Sequence, residues 1–493
     1  MVTGYQDVSR SFSHQNQVTQ KPFTPHLRLA DEFGSDGRRT ETLMSPGQAY
    51  LESIFSLARP NDPPNLRLWP LQRPVLIHEL KPDEYLGDPK DTEDVQSAVM
   101  GFLWLDRNTE SNTLPFILQT YATWLTRFHF EPLQVAHVVR IGVSQKYVME
   151  EELRQMLSLL ANDLQEAAQL AEYDPVGSSS FSMAEAILGR RLTNARAHVE
   201  SSRILDRQHA AKAMLGTLSW IILLCKVASL SSITRFMQLA APVFRRACPG
   251  PLSGLVNLPT LLTTGIYDLH HYSNLDILLG VVTGRPMFFR YTVNFTPKAP
   301  ESLFFHVGSA GMRALHGVPD RLVMIFAQMN GLYEDFGSHV PHRIVDELEQ
   351  EIQNLKPVLA PSTEPLVAIG RAAVQECWFQ AALIYLYMGL CGAYSTDTRV
   401  VNARTRFMTI LESVRPRRNP DSFIVFPMVV LGLATDNWSK RTMIRQRMLG
   451  LPECSRPGRL GNDFVKILDN VWSKDYLVSW KDLRQACWEV AGV

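Results

Sequence analysis

The sequence of 493 residues predicts an all-α fold, a large multi-helix bundle of antiparallel and stacked helices with a disordered N-terminal arm. From about Val95 onward, apolar residues recur in steps of three and four, the period of a helix with one buried face. The segment Trp378–Cys391 is apolar on every side, as in a helix at the centre of a bundle. Only residues 289–295 alternate like a strand, and one isolated strand makes no sheet.

The first 94 residues are expected to form two segments without long helices. Residues 1–45 are rich in Ser, Thr, Gln and charge and have no apolar period, which is typical of a disordered arm. Prolines follow at positions 60, 63, 64, 70, 74, 82 and 89, and this spacing excludes a long helix. Apolar residues such as Leu68 and Trp69 lie between these prolines. Residues 46–94 are therefore predicted to be an extended segment that packs on a helical domain of residues 95–493.

Individual helices in that domain are predicted from apolar stripes and start signals. Apolar residues between Met149 and Ala168 step by three and four, and Ser182–Glu185 has the spacing of a capping box at a helix start. A third stripe runs from Ile344 to Leu355 and is ended by Pro357, and a fourth occupies residues 464–472.

The most apolar stretch lies between Lys212 and Lys226 and holds 13 residues. A membrane span needs about 20. The stretch is therefore predicted to be a buried helix, and no membrane is expected as a partner.

The charge balance argues against a dedicated nucleic-acid binder. Lys+Arg and Asp+Glu both total 49, whereas such proteins usually carry a basic excess. The only short basic run is Arg415-Pro-Arg-Arg418. Its arginines, Arg415, Arg417 and Arg418, could form a weak patch for phosphate or an import receptor, but a solvated helix-to-loop junction is the better interpretation.

The cysteine pattern excludes a disulfide framework and a zinc cluster within this sequence. The six cysteines are scattered, with no CxxC pair and no more than two in any window of about 30 residues. They lie at Cys225, Cys248, Cys377, Cys391, Cys454 and Cys487. Free cysteines and a polar N-terminus favour a reducing compartment, either nucleus or cytoplasm.

No catalytic, cofactor-binding or metal-binding residue is predicted. The segment Gly308–Gly311 lacks the lysine and third glycine of a phosphate loop, so a turn or packing role is favoured. His78-Glu79 starts like a zinc-protease motif but is followed by Pro82 and has no second histidine. Cys377 lies among aromatic residues and is expected to be structural.

His270 and His271, near Asp268 and Asp276, could in principle hold a metal. Adjacent histidines point in different directions on a helix. Loop or partly buried histidines without a ligand role are therefore the preferred interpretation.

Several passages together resemble a known family. They are residues 241–249, 283–291, 315–320 and 375–391, and the shorter Arg418–Asp421, Phe426–Met428, Glu453-Cys454, Gly461–Asp463 and Val471-Trp472. In combination they are similar to the fungal-specific transcription factor domain of zinc-cluster transcription factors, over about Met100 to Val490. The resemblance implies a nuclear, all-helical regulatory region that mediates regulation, ligand or partner sensing and sometimes dimer contacts. In that family it follows a zinc-cluster DNA-binding module, and residues 1–45 contain no cysteine. Either the gene model begins downstream of the true start or the module has been lost.

The function expected from the resemblance is that of a non-enzymatic transcription regulator without cofactors. It would act through protein partners or a homodimer, or through a small-molecule effector held between helices, and would reach DNA only indirectly. The alternative is a helical scaffold or ligand-binding protein of unrelated function, because a fold likeness does not establish a function.

Overall fold

The computed structural model describes residues 93–100, 113–169, 173–308, 311–362, 364–416, 418–474 and 476–493. Helices dominate these ranges, which confirms the predicted all-α class. The arm of residues 1–45 and nearly all of the proline-rich segment 46–94 lie outside the described residues.

The first part of the described chain folds into nine helices and one short strand. The helices are α1 (Val95–Met100), α2 (Thr113–Phe128), α3 (Pro132–Met149), α4 (Glu151–Gln169), α5 (Ser179–Ala197), α6 (Arg203–Ala213), α7 (Thr217–Val227), α8 (Leu230–Ala247) and α9 (Leu258–Leu262), with a 3-10 turn at Pro175–Gly177 and strand β1 (Val256–Asn257).

The second part begins with α10 and ends near the C-terminus. It contains α10 (Tyr267–Thr283), β2 (Tyr291–Thr292), a 3-10 turn (Glu301–Phe305), α11 (Arg313–His316), α12 (Asp320–Phe336), α13 (His342–Asn354), α14 (Pro365–Tyr385), a π turn (Leu386–Leu390), α15 (Thr398–Ser413), α16 (Arg418–Asp421), α17 (Val425–Leu433), α18 (Trp438–Leu449), α19 (Pro452–Ser455), α20 (Leu460–Trp472) and α21 (Trp480–Ala491).

The stripes at 344–355 and 464–472 form α13 and the end of α20, as predicted. The stripe that starts at Met149 forms α4, but Met149 itself ends α3 and is 54% exposed. The capping-box prediction at Ser182 is wrong. The helix α5 starts at Ser179, because the hydroxyl of Ser178 accepts the N–H of Phe181 and so caps the helix one turn earlier.

Two buried helices form the centre of the domain. The predicted segment Trp378–Cys391 forms the end of α14 and the π turn, and its residues are buried up to Leu390. The second, α10, is buried at every residue from Asp268 to Thr283 and packs against α7, α8, α12, α17 and α21. Its two aspartates find internal partners, whereas both polar atoms of Asn274 and both ring nitrogens of His271 have none among the described residues.

The predicted strand at 289–295 is reduced to two residues. Tyr291 and Thr292 pair in parallel with Val256 and Asn257. The sheet therefore consists of two strands of two residues each, which join two loops. The expected isolated strand thus has a partner, and that expectation is corrected.

A buried polar network joins the start of the described chain to its C-terminal half. Arg371 on α14 makes two bonds to Glu93, of 2.6 and 3.0 Å, and donates to the carbonyl of Phe130 at 2.9 Å. Glu131, at the start of α3, pairs with Arg313 on α11 at 2.5 Å. Both members of the second pair are at most 4% exposed, and breaking such a pair leaves one buried charge uncompensated. The helices α1–α3 are thereby fixed to α11 and α14.

Candidate partner-binding surface

An open groove lies between α18 and α20, and we call it the Trp–Arg groove. It has a volume of about 320 Å³ and is lined by Trp438, Arg441, Thr442, Arg445, Asp469, Trp472 and Ser473. The first four residues occupy positions i, i+3, i+4 and i+7 of α18 and so share one face. Arg441 contacts Trp472 and Arg445 contacts Asp469, so the two helices run antiparallel here.

The opposite face of α18 is anchored in the core. Arg447 is 3% exposed and pairs with Asp421 through two nitrogens, at 2.9 and 2.8 Å. The same guanidinium also donates to the carbonyl of Leu411 at the end of α15. At the start of α18, the side chain of Asn437 accepts the N–H of Lys440 at 3.1 Å and caps the helix. The groove is therefore built on a rigid support.

Arg441 and Trp472 form the floor of the groove. Arg441 donates through Nε to the carbonyl of Thr435 at 2.7 Å, and its guanidinium lies 5.8 Å from the centre of the Trp472 ring. The indole N–H of Trp472 donates to the carbonyl of Gly432 at 2.9 Å, which fixes the ring. Burial lowers the pKa of the Arg441 guanidinium, although an arginine stays cationic in proteins.

Arg445 supplies the second cation of the groove. Its Nε lies 3.0 and 3.2 Å from the two carboxylate oxygens of Asp469. Within the described part of the chain, its Nη1 and Nη2 make no hydrogen bond, and its side chain is 46% exposed. Two donors of a guanidinium fork are thus available to an incoming acceptor.

Trp438 stands at the rim and is 79% exposed. Tryptophan and arginine are the side chains most enriched among residues that dominate binding energy at protein interfaces. Their combination in one groove is chemically suited to a protein partner. Sequence analysis assigned no binding role to these residues. The available signal was a tryptophan at the start of the predominantly polar segment 438–449.

A more enclosed cavity elsewhere is too small for an effector. It lies between α2, α4, α7 and α19 and has a volume of about 10 Å³. A single water needs about 10–15 Å³. Of these two cavities, only the Trp–Arg groove has room for a ligand.

The predicted basic patch lies at the junction between α15 and α16. Arg415 follows the end of α15 and is exposed, and Pro416 beside it is buried. Arg417 and the side chain of Arg418 lie outside the described residues. The patch therefore remains a prediction.

The predicted positions of His270 and His271 need a correction, because both residues lie in α10 and are 1% exposed. Their rings point to different neighbours. His270 Nε2 lies 3.2 Å from the hydroxyl of Thr264, whereas His271 stacks on His316 with ring centres 5.1 Å apart.

The neighbouring aspartates have structural contacts. Asp268 accepts two backbone N–H groups at the start of α7, at 2.9 and 3.0 Å. Asp276 accepts two backbone N–H groups and the hydroxyl of Tyr291, and pairs with Arg285 at 3.2 Å. Burial raises the pKa of Asp276, and these contacts oppose the shift. Both carboxylates thus fix loops around α10.

Sequence analysis missed a cluster of three histidines. His129 follows α2, and the stacked pair His271 and His316 lies on α10 and α11. Among the described residues, His129 Nδ1, both nitrogens of His271 and His316 Nε2 are buried without a hydrogen-bond partner. Burial lowers the pKa of His129 and His316 to about 3 and that of His271 well below 6.5, and the charge of Lys226 lowers those of His129 and His316 further.

The described residues contain no group of three or more His, Cys, Asp or Glu side chains arranged to hold a metal. Burial of the three imidazole rings disfavours their protonated form. No short-range signal in the sequence brings positions 129, 271 and 316 together.

The cysteines of the described chain form no disulfide bond. Cys377 is a buried residue of α14, and burial strongly raises its pKa, as expected for a structural residue. Burial likewise raises the pKa of Cys225, Cys248 and Cys487 to about 12.

The segment Gly308–Gly311 contains a turn at Gly308, whose φ is +83°, while residues 309 and 310 lie outside the described ranges. A side chain at Gly311 would clash with the carboxylate of Asp320. His78-Glu79 also lies outside the described residues.

One stretch of the described chain, Arg203–Val227, is long and apolar enough to be a candidate membrane span. Its apolar window of 18 residues is 61% buried, and Gly216, with a φ of +94°, divides the stretch into α6 and α7. Each of these helices has 11 residues, a length of about 16 Å against a membrane core of about 30 Å. The buried helix predicted between Lys212 and Lys226 corresponds to α7.

Residues 270–491 match the family model of the fungal specific transcription factor domain. The match starts inside α10 and includes the Trp–Arg groove. Residues 100–269, to which the sequence resemblance was expected to extend, lie outside it. No curated protein and no solved structure matches the chain. The match confirms the resemblance to the fungal specific transcription factor domain for residues 270–491, the C-terminal part of the chain.

Proposed function

We propose that the chain is a nuclear regulator of transcription that holds a protein partner in the Trp–Arg groove. It reaches DNA through that partner and catalyses no reaction. The family match supports a role in transcription. The observation that carries the mode of action is the exposed Trp438 beside Arg441 and Arg445 on a rigid helix within the matched domain.

The charge distribution supports an indirect route to DNA. Specific DNA binders typically neutralise about 6–10 phosphates. The formal net charge of the sequence is zero, and its only short basic run holds three arginines around a proline. Three contacts to phosphates would hold a protein only weakly on DNA, and contacts to phosphates do not distinguish one base sequence from another.

A tethered-reporter assay tests the function. The full chain is fused to a heterologous DNA-binding domain in a fungal cell, and reporter expression is compared with that of the DNA-binding domain alone. We expect a change in expression that Trp438→Ala reduces to a third or less. Trp488→Ala is the matched control, because Trp488 is also exposed, at 61%, and does not line the groove.

Two results would contradict the proposal. One is a reporter response that is equal in the wild type, Trp438→Ala and Trp488→Ala. The other is nanomolar binding of the unfused chain to an enriched sequence from a randomised duplex pool at physiological salt.

A further inference from the structure

We infer that the occupant of the Trp–Arg groove is a short segment of another protein in which one or two carboxylates lie beside an aromatic or large aliphatic side chain. This inference rests on the proposed function and specifies the partner at the same site. Three features of the groove select this chemistry: its unused donors, its exposed indole and its one internal carboxylate.

The unused donors select a carboxylate. Arg445 uses Nε for Asp469, and its Nη1 and Nη2 have no partner within the described ranges. A planar guanidinium with two free N–H groups matches the two oxygens of a carboxylate. The floor adds the cation of Arg441, so the groove has two positive charges and one negative charge. The excess of positive charge in the groove is complementary to the carboxylates of an acidic segment.

The exposed indole selects an apolar neighbour of that carboxylate. Trp438 is 79% exposed, and Trp472 is fixed at the floor by its bond to Gly432. An aromatic or long aliphatic side chain between the two rings would bury apolar surface on both sides. The volume of about 320 Å³ is at the lower end of the range of about 300–1,000 Å³ for small-ligand sites, so it suits one or two side chains.

The internal carboxylate argues against a nucleic-acid strand. A strand is bound by a continuous run of cations along its phosphates. Asp469 lies in the groove and would repel such a polyanion, whereas a peptide carboxylate can share the Arg445 fork with it. Asp469 thus competes with the partner's carboxylate for Arg445. Removing its charge should therefore strengthen binding of the partner, whereas a residue with only a structural role would not have this effect.

The experiment is a fluorescence-anisotropy titration of the full chain with a fluorescein-labelled peptide of twelve residues. The peptide carries an Asp-Glu-Tyr-Leu core between Gly-Ser flanks. Two matched peptides replace the acids by Asn and Gln, or the Tyr-Leu pair by Ala-Ala. We expect both replacements, and the protein variants Trp438→Ala and Arg445→Gln, to weaken binding about tenfold, the loss of roughly one charge-assisted bond or one buried ring. Trp488→Ala should bind as the wild type does.

The decisive variant is Asp469→Asn. It keeps a hydrogen-bond acceptor for Arg445 but removes the competing negative charge, so the acidic peptide should bind about three- to tenfold more tightly, and the neutral peptide should be unaffected. Weaker binding of the acidic peptide to Asp469→Asn, with an unchanged melting temperature, would overturn the inference. Equal binding of the acidic and neutral peptides, or displacement of the acidic peptide by a single-stranded oligothymidylate, would also overturn it.

The two proposals fail in different ways. If no peptide binds but Trp438→Ala still abolishes the reporter response, the chemistry of the occupant is wrong and the regulatory role stands. If the acidic peptide binds as expected but the reporter is insensitive to Trp438→Ala, the groove binds acidic segments without serving transcription.

Discussion

At the scale of single residues, the neutral histidine cluster makes stability depend on pH. His129 and His271 are buried in a site that disfavours the imidazolium, and Lys226 adds repulsion at His129. His316 is partly exposed, but its Nε2 lies out of contact with solvent. In the unfolded chain each imidazole has a pKa of about 6.5.

The direction in which stability changes with pH follows from whether the folded or the unfolded chain binds more protons. The pKa of His129 is about 3 in the folded chain, so between pH 6.5 and 3 the unfolded chain binds the additional proton. Stability contributed by the neutral ring is complete above pH 6.5 and is lost as the pH falls. We expect His129 and His271 each to lower the free energy of unfolding by about 2 kcal/mol at pH 5 relative to pH 7.

Urea denaturation at a series of pH values measures this loss. His271→Phe keeps a ring against His316 and removes two unpaired nitrogens, so its stability should fall less steeply between pH 6.5 and 5. His137→Gln is the matched control, because His137 is exposed on α3 and lies outside the histidine cluster. An identical slope in the wild type and His271→Phe would refute the pH prediction.

At the scale of elements, the π turn after α14 depends on a glycine. The N–H of Cys391 bonds to the carbonyl of Leu386, five residues earlier, at 3.2 Å. This widened turn places Gly389 against the Tyr385 ring, where an added Cβ would lie 2.6 Å from two ring carbons. The ring is fixed, because it stacks on Trp480 at 4.5 Å and its hydroxyl donates to Asn330 at 2.9 Å.

Gly389→Ala should therefore destabilise the protein by about 1–3 kcal/mol, the usual cost of overpacking a core. The matched control is Gly189→Ala in the interior of α5, where an added Cβ meets no atom within 4 Å. That variant should be more stable by about 0.5–1 kcal/mol, since alanine favours a helix. Chemical denaturation of both variants measures the difference. Equal stability of the two would show that the turn accommodates a side chain.

The two central helices, α14 and α10, differ in how well their buried position could be predicted from the sequence. The end of α14 is apolar on all sides, so its central position is visible in its composition. The equally buried α10 contains Asp268, His270, Asn274 and Asp276, and this polarity conceals its position. Asp268 is satisfied by backbone groups 50 and 52 residues earlier in the sequence, and Asp276 by the loop that follows α10. Local patterns carry no information about such long-range partners.

The candidate site was predictable only in part. The residues of α18 repeat with helical spacing, so their common face could be deduced from sequence. Their pairing with Asp469 and Trp472 depends on the packing of α18 against α20, which no local pattern specifies.

At the scale of the whole molecule, the matched range 270–491 is embedded in a larger domain. Its N-terminal boundary falls inside the buried helix α10. The N–H of Leu460 at the start of α20 bonds to the carbonyl of Ala228 at 2.7 Å, and Asp463 accepts the N–H of Leu230 at the start of α8 at 2.9 Å. Removal of α1–α9 would expose the apolar surface of α10 and leave these groups unsatisfied.

We expect a fragment of residues 266–493 to fail to fold alone, because exposed apolar surface and lost hydrogen bonds exceed the usual stability margin of about 5–15 kcal/mol. A fragment of residues 93–493 should be monodisperse and melt cooperatively. Gel filtration and near-ultraviolet circular dichroism compare the two. A sharp, coincident melting transition in both fragments would show that the matched range is autonomous.

The buried thiols also provide built-in reporters of local opening. Cys248, Cys454 and Cys487 are inaccessible to solvent, with 0% exposure, and Cys377 is 1% exposed. They lie after α8, in α19, in α21 and in α14, four separate parts of the domain. A thiol reacts as its thiolate and only where a reagent can reach it. The alkylation rate of each cysteine in the native protein, resolved by peptide mass spectrometry, therefore gives the opening free energy of its own region without any engineered label.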